Sequence, residues 1–347
     1  MRASIGTLSA WAMMAALVAC GGATPPPETG GATPGTHDPP LDTAAPPATG
    51  PEPPPSAEMD AGVKAFDAGS FADARKSFEA ASKKNPSNFL ALFDLGQACE
   101  KLGDKAAAVE AYKAAIAVKP DLDTAAAALS SLYIDAGQLD DALAVARAGL
   151  AKRPGSAALH ENLGIALATR GDKDAALPEL EAAIKGQPSE PMYHLTLAHW
   201  LNASHTRGAA PHLDAARDLV KDDYGMLVSI GFEYRMAGEF DSCVKLFDRI
   251  VGMKDGGEAR TDRALCRLGQ KDEKGTLEDL KAAVAKEPTY APAHYYLAGR
   301  LASTKHYKEA AAEYAKYLEL APTGSLAKPA AERLKLAQEA AKAPKGK

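Results

Sequence analysis

The sequence is poor in the residues and motifs that carry covalent chemistry. Its 347 residues include four cysteines, two tryptophans and 6% aromatics. No phosphate loop, dinucleotide fingerprint or Gly-x-Ser-x-Gly elbow occurs. His160-Glu161 opens like a zinc-protease helix, but Gly164 stands where the second histidine is required. There is no basic excess either. Forty Lys and Arg against 45 Asp and Glu give a formal charge of −5, which argues against a nucleic-acid partner, because phosphate binding needs a basic face. Beyond the first twenty residues no apolar run approaches the roughly 20 residues that span a bilayer. The expectation is a soluble body with no cofactor, no metal and no catalytic role.

What is present begins with an apolar run from Ile5 to Ala19, preceded only by the amino terminus and Arg2. It is too short to cross a membrane and has the layout of a secretory signal, with small residues before a cleavage point. The ending Leu17-Val18-Ala19-Cys20 resembles the lipobox of bacterial lipoproteins. That resemblance implies removal of residues 1–19 and acylation of Cys20, two or more chains giving stable anchoring. The plainer alternative is a signal cut near an unmodified cysteine. Gly21 rather than Asp after the cysteine favours, by analogy with lipoprotein sorting, the outer membrane facing the periplasm. Half of the 24 prolines fall within residues 21–56, so 20–56 is read as a disordered, Pro-rich tether with a reach on the order of 100 Å.

From residue 57 the composition turns to Ala, Leu, Lys and Glu at helical spacing, and four ladders share a step of 34. Gly69, Gly103, Gly137 and Gly171 form one; Ala74, Ala108, Ala142 and Ala176 a second; Leu95, Leu129, Leu163 and Leu197 a third; Pro86, Pro120, Pro154 and Pro188 a fourth. Each rung has a physical sense in a helical hairpin. Glycine caps the first helix in the left-handed conformation, a small residue lets the second helix approach, a large one four places on (Phe78, Tyr112, Leu180) fills the gap, and proline stops it. Such a hairpin cannot cover its own apolar face, so neighbours must stack.

The pattern resembles the tetratricopeptide repeat, matched best by Leu92, Leu95, Gly96, Gly103, Ala108, Tyr112, Ala115 and Pro120. The resemblance implies an all-α superhelical solenoid of about eight helix-turn-helix repeats over 57–322, with 323–347 a capping helix and tail. Three repeats depart from the pattern. The fifth has Asn202-Ala203-Ser204-His205 where a glycine turn belongs and lacks its closing proline, the sixth ends in glycines (Gly252, Gly256, Gly257), and the seventh calls for about two extra residues between Gly269 and Thr276.

In the family the first helices line a concave groove. Carried over, the lining here is Val63, Phe93, Gln97, Glu100, Ile134, Glu161, Ile165, Leu195, His199, Phe232, Arg235 and Tyr295, each with packing between repeats as its alternative use. The paired Lys and Asn of the family's carboxylate clamp are missing, so the lining suits an internal polypeptide segment. His160, His194 and His294 share one slot of the first helix, where packing is expected; His199, His205 and His212 are a weak metal alternative. Cys99 reads as a small core residue. Cys243 and Cys266 fall on helices that should run side by side, open to a disulfide or to two buried thiols.

The resulting reading is a membrane-anchored scaffold or adaptor that binds a protein or peptide in the bacterial cell envelope, touching the membrane through its lipid alone. Pilotin-like, secretion-associated and gliding lipoproteins are the comparable cases. A cell-wall-acting enzyme, or the adaptor of a peptidoglycan hydrolase, is the competing class, and the repeats leave little chain for a catalytic domain.

Overall fold

The computed structural model describes residues 56–342. Residues 1–55, with the signal segment, Cys20 and the tether to Pro55, and residues 343–347 lie outside the described residues. The chain divides into two compact units, one ending at Pro188 and the other starting at Ser189. The described part is all-α, with seventeen helices.

In the first unit, four hairpins are formed by α1 (Ala57–Asp67) with α2 (Phe71–Lys84), α3 (Phe89–Lys101) with α4 (Lys105–Val118), α5 (Asp123–Asp135) with α6 (Leu139–Lys152), and α7 (Ala157–Arg170) with α8 (Lys173–Gly186). In the second, α9 (Pro191–Ala203) pairs with α10 (Ala209–Leu219), α11 (Tyr224–Met236) with α12 (Phe240–Met253), α13 (Gly257–Gly269) with α14 (Glu273–Lys286), and α15 (Ala291–Ser303) with α16 (Tyr307–Leu320); α17 (Ala327–Lys342) closes the unit. None of the described helices is long and apolar enough to cross a membrane.

The helices start where short polar side chains satisfy free amides. Asn88 accepts from the Ala91 amide at 3.0 Å and Asp104 from the Ala107 amide at 3.1 Å. Every hairpin turn contains a left-handed residue: Gly69, Gly103, Gly137, Gly171, His205, Gly238, Lys271 and Lys305. This corrects the seventh repeat. Its turn residue is Lys271 at φ 64°, not Gly269, and the spacing from Gly238 to Lys271 leaves no insertion there. The additional residues lie in the fifth turn, where Gly208 is also left-handed at φ 115° and α10 is shortened to 11 residues.

The core repeats with the same register. Ala74, Ala108, Ala142, Ala176, Ala209, Cys243, Thr276 and Ala310 form a ladder of buried small residues in the second helices. Four positions later stand Phe78, Tyr112, Ala146, Leu180, Leu213, Phe247, Leu280 and Tyr314, all fully buried or nearly so. Residue size is matched across each hairpin. A Cβ on Gly62, Gly96 or Gly231 would sit 2.4–2.5 Å from the ring of Phe78, Tyr112 or Phe247; where the second helix offers only Ala146, the first has Ser130, whose hydroxyl bonds the Ala142 carbonyl at 3.3 Å. Close packing leaves no room for both partners to be large.

Within the second unit two ties join α12, α13 and α14. The structure joins Cys243 of α12 to Cys266 of α13, with Cα atoms 5.8 Å apart and both residues fully buried. Beside them Asp279 of α14, 2% exposed, is held by Arg263 at 2.5 Å and Arg267 at 2.9 Å, while Arg263 also reaches Asp248 of α12 at 2.9 Å. The small cap is α17, whose Ala330 packs among Tyr295, Tyr314 and Tyr317 and whose Ala337 joins Leu301 and Ala310.

Candidate partner-binding surface

First helices of successive hairpins touch: α5 meets α7 in the first unit, and α9, α11, α13 and α15 follow one another in the second. The side chains they present away from their second helices are the candidate surface. Exposure divides the expected lining. Leu195 is fully buried, and Glu161, Ile165 and Tyr295 are at most 6% exposed; these four are corrected to interior residues, because each is turned into the packing of its unit. Tyr295 shows why, with its ring centroid 5.8 Å from that of Tyr314 and 5.5 Å from that of Tyr317.

Val63, Phe93, Gln97, Glu100 and Ile134 of the first unit remain partly exposed. Val63 leans on the cluster of Ala74, Phe78 and Ala98, and Phe93 on Tyr112, at 5.7 Å between rings. Glu100 accepts a hydrogen bond from the otherwise buried Tyr112 hydroxyl. Burial pushes the Glu100 carboxyl up, opposed by that bond and reinforced by the charge of Asp135; burial also raises Asp135, against the pull of Lys105 at 3.7 Å.

In the second unit His199 is committed. Its Nδ1 lies 2.8 Å from the buried carboxylate of Glu233, which also accepts from Asn202 Nδ2 at 2.8 Å. His212 is 3.3 Å from His194 instead, so the histidines are divided among different partners. The shared histidine slot is a latch: in His160 and His294 alike, Nδ1 is 2.6 Å from a glutamate of the second helix (Glu179, Glu313), and Nε2 is 2.9 Å from the carbonyl of the preceding proline (Pro154, Pro288). Cys99 is buried, and burial raises its thiol pKa. Phe232 and Arg235 stay partly exposed, the guanidinium 4.9 Å from the ring centroid.

The tetratricopeptide repeat profile matches residues 59–126 and 127–191. Residues 59–191 carry tetratricopeptide repeats. Among solved structures it is similar to yeast Tom70, at 16% identity over 81% of this chain and 63% of that one, with a TM-score of 0.51. It is also similar to the C-terminal part of a tetratricopeptide-repeat protein from Cytophaga hutchinsonii, at 16% identity over 70% and 99%, TM-score 0.52. A thermophilic tetratricopeptide-repeat protein of Thermus thermophilus shares 26% identity over 51% of this chain and 96% of its own, TM-score 0.44. No curated protein matches the sequence. Tetratricopeptide-repeat proteins are generally non-catalytic scaffolds that bind protein partners.

The repeats outside the profile match hold residues that sequence reasoning passed over. Asp262 and Tyr296 occupy the sixth position of α13 and α15, one place beyond the family's lining position; Tyr224 opens α11 and Tyr290 precedes α15. Asp262 is partly buried, and its carboxylate forms no hydrogen bond or close ion pair among the described residues. Burial pushes its carboxyl up to about 6, with Arg235 pulling it down and Glu258 pushing further. The phenols of Tyr224, Tyr290 and Tyr296 are all raised, first by burial; nearby carboxylates that include Asp262 push Tyr224 and Tyr290 further, while for Tyr296 the pull of Arg235 opposes burial before Asp262 adds to it. Glu258 and Asp262 are four residues apart on one helix face, a spacing visible in the sequence once Lys271 is taken as the turn.

Proposed function

We infer that the protein is a lipid-anchored scaffold of the bacterial cell envelope that holds a partner polypeptide against the first helices of its repeats. The observation that carries partner binding is a tetratricopeptide-repeat body whose first helices keep aromatic and charged side chains, Phe93, Phe232 and Arg235, partly exposed. The location rests on Leu17-Val18-Ala19-Cys20 ahead of a Pro-rich tether. Acyl chains on Cys20 hold the amino terminus in the outer membrane, and the tether lets the body work in the periplasm at some distance from it. A pilotin-like or secretion-associated role fits this arrangement, in which the body delivers or steadies a client beside the membrane.

The test has two readouts in the native host. Cys20→Ala moves the protein from the membrane to the soluble fraction; continued membrane association contradicts the anchor. A photoreactive amino acid at Phe232 crosslinks one dominant envelope protein, whereas the same group at Lys76, an exposed residue of a second helix, does not. Equal yields from the two positions place the partner elsewhere.

A further inference from the structure

We propose that His160 and His294 are held as imidazolium ions, each closing the last hairpin of its unit with a proton that a neutral histidine lacks, and that both hairpins loosen when that proton is lost.

Counting hydrogens fixes the charge of each ring. Nδ1 lies 2.6 Å from a carboxylate oxygen of Glu179 or Glu313, and Nε2 lies 2.9 Å from the carbonyl of Pro154 or Pro288. A carbonyl only accepts, so Nε2 carries a hydrogen. An ionised carboxylate only accepts too, so Nδ1 carries another. A neutral imidazole has a single N–H and would leave one of the two contacts as lone pair against lone pair. Placing the second hydrogen on the glutamate is the alternative, but imidazole is the stronger base by about two pH units on the ordinary scale, so the ring takes it. The separation of 2.6 Å has the shortness of a charge-assisted bond.

The same contacts recur at the same steps in both hairpins, 19 residues forward to the glutamate and six back to the proline carbonyl. Glu179 and Glu313 are the charged groups paired with these rings among the described residues. The loop before each first helix contributes a carbonyl and no charge, because Arg153 Nε turns to the Asp121 carbonyl at 3.2 Å and Glu287 accepts from the Gly257 amide at 3.0 Å. An imidazolium–carboxylate pair is neutral as a whole, which suits a half-buried place better than a lone carboxylate does.

The fifth repeat fills the slot differently. His194 Nδ1 meets His212 Nδ1 at 3.3 Å. One hydrogen serves two nitrogens, one ring donating and the other accepting; a second sets two donors against each other. Histidine exchanges its second proton between about pH 5 and 8. A proton held more tightly in the folded than in the unfolded chain stabilises in mild acid, and its contribution is lost as pH rises. Alkali therefore loosens α7–α8 and α15–α16, whereas acid opposes the contact between α9 and α10.

The experiment uses the full chain with ¹⁵N in its histidines, beside Glu179→Gln and Glu313→Gln; His160→Asn and His294→Asn assign the signals. NMR distinguishes an imidazolium, with two protonated nitrogens, from a neutral ring with one bare nitrogen. At pH 7 the signals of His160 and His294 should both be those of imidazolium. Glu179→Gln should turn His160 alone into the neutral ring protonated at Nε2, since the new amide donates to Nδ1, and Glu313→Gln should do the same to His294 alone. Hydrogen exchange, corrected for its own pH dependence, should show opening of α7–α8 and α15–α16 rising about tenfold from pH 6 to pH 8.5. Each Gln variant should lose that rise in its own hairpin and keep it in the other. A bare nitrogen on either native ring at pH 7, or opening that ignores pH, overturns the proposal. Should a Gln variant fail to fold, the native spectrum decides alone.

Discussion

The two units build the same hairpin by different means. In the first, all four turns place glycine at the left-handed position, three of four hairpins put glycine opposite the large buried residue, and proline follows every second helix. In the second, His205, Lys271 and Lys305 stand in the left-handed region, where a side chain costs about 1 kcal/mol or more, and the fifth repeat has Val220 after its second helix with no closing proline. Side-chain ties stand in compensation: the Cys243–Cys266 link, the arginines on Asp279, and α17. Stability is thus spread over backbone-level rules in the first unit and concentrated in a few contacts in the second. Single changes should accordingly hurt the second unit more.

The largest effect is expected at Asp279. Replacing it with Ala leaves Arg263 and Arg267, both partly buried, with only the more exposed Asp248 as a counter-charge, which costs about 3 kcal/mol. Urea unfolding followed by hydrogen exchange should show protection lost across α12–α14, with α1–α8 unchanged. A variant as stable as the parent would mean that the network is a surface feature of little weight. The disulfide comes next. Cys243→Ser with Cys266→Ser should cost about 2–4 kcal/mol, and a reductant should reproduce the loss in the native protein while leaving the double variant alone. Free thiols at both Cys243 and Cys266 in the protein unfolded without reductant would show that the link is absent and with it this difference between the units.

Most of the fold was legible because the repeat multiplies each signal. One Gly or Pro says little, whereas a ladder of four at a single step fixes register, turn and stop together. Legibility failed where a rung is occupied by the wrong residue type. Lys271 carries the conformation that Gly269 was expected to supply, so an insertion was read into the seventh repeat that belongs in the fifth. The surface was harder to read for a different reason. Leu195 and Tyr295 stand at lining positions by family register, yet whether a side chain at such a position faces out depends on the size of its neighbours, and Tyr314 and Tyr317 draw Tyr295 inward. Asp262 escaped notice because it is one place off that register, and its environment comes from three hairpins at once.

Size matching supplies the third test. Gly96→Ala in the first unit and Gly231→Ala in the second each drive a Cβ into a ring that is at most 1% exposed, and overpacking of this kind costs about 1–3 kcal/mol. Equal losses are expected, since the hairpin interior is one feature the units share. A larger loss at Gly231, beside the ties of the second unit, would show that packing there is also less tolerant.

The smallest expected effect is the most direct test of the comparison. Lys271 pays for its left-handed backbone with a side chain that has no packing role there, so Lys271→Gly removes strain while giving the unfolded chain more freedom. Glycine's advantage at such a φ outweighs that entropy, and a net gain of about 0.5–1 kcal/mol follows. Gly137→Ala in the first unit runs the exchange backwards. Nothing lies within 4 Å of a Cβ built there at φ 73°, so any loss measures conformation alone and should be of similar size and opposite sign. If instead Lys271→Gly destabilises, the lysine makes an unrecognised contact at the turn, and the second unit has not drifted from the glycine rule but replaced it.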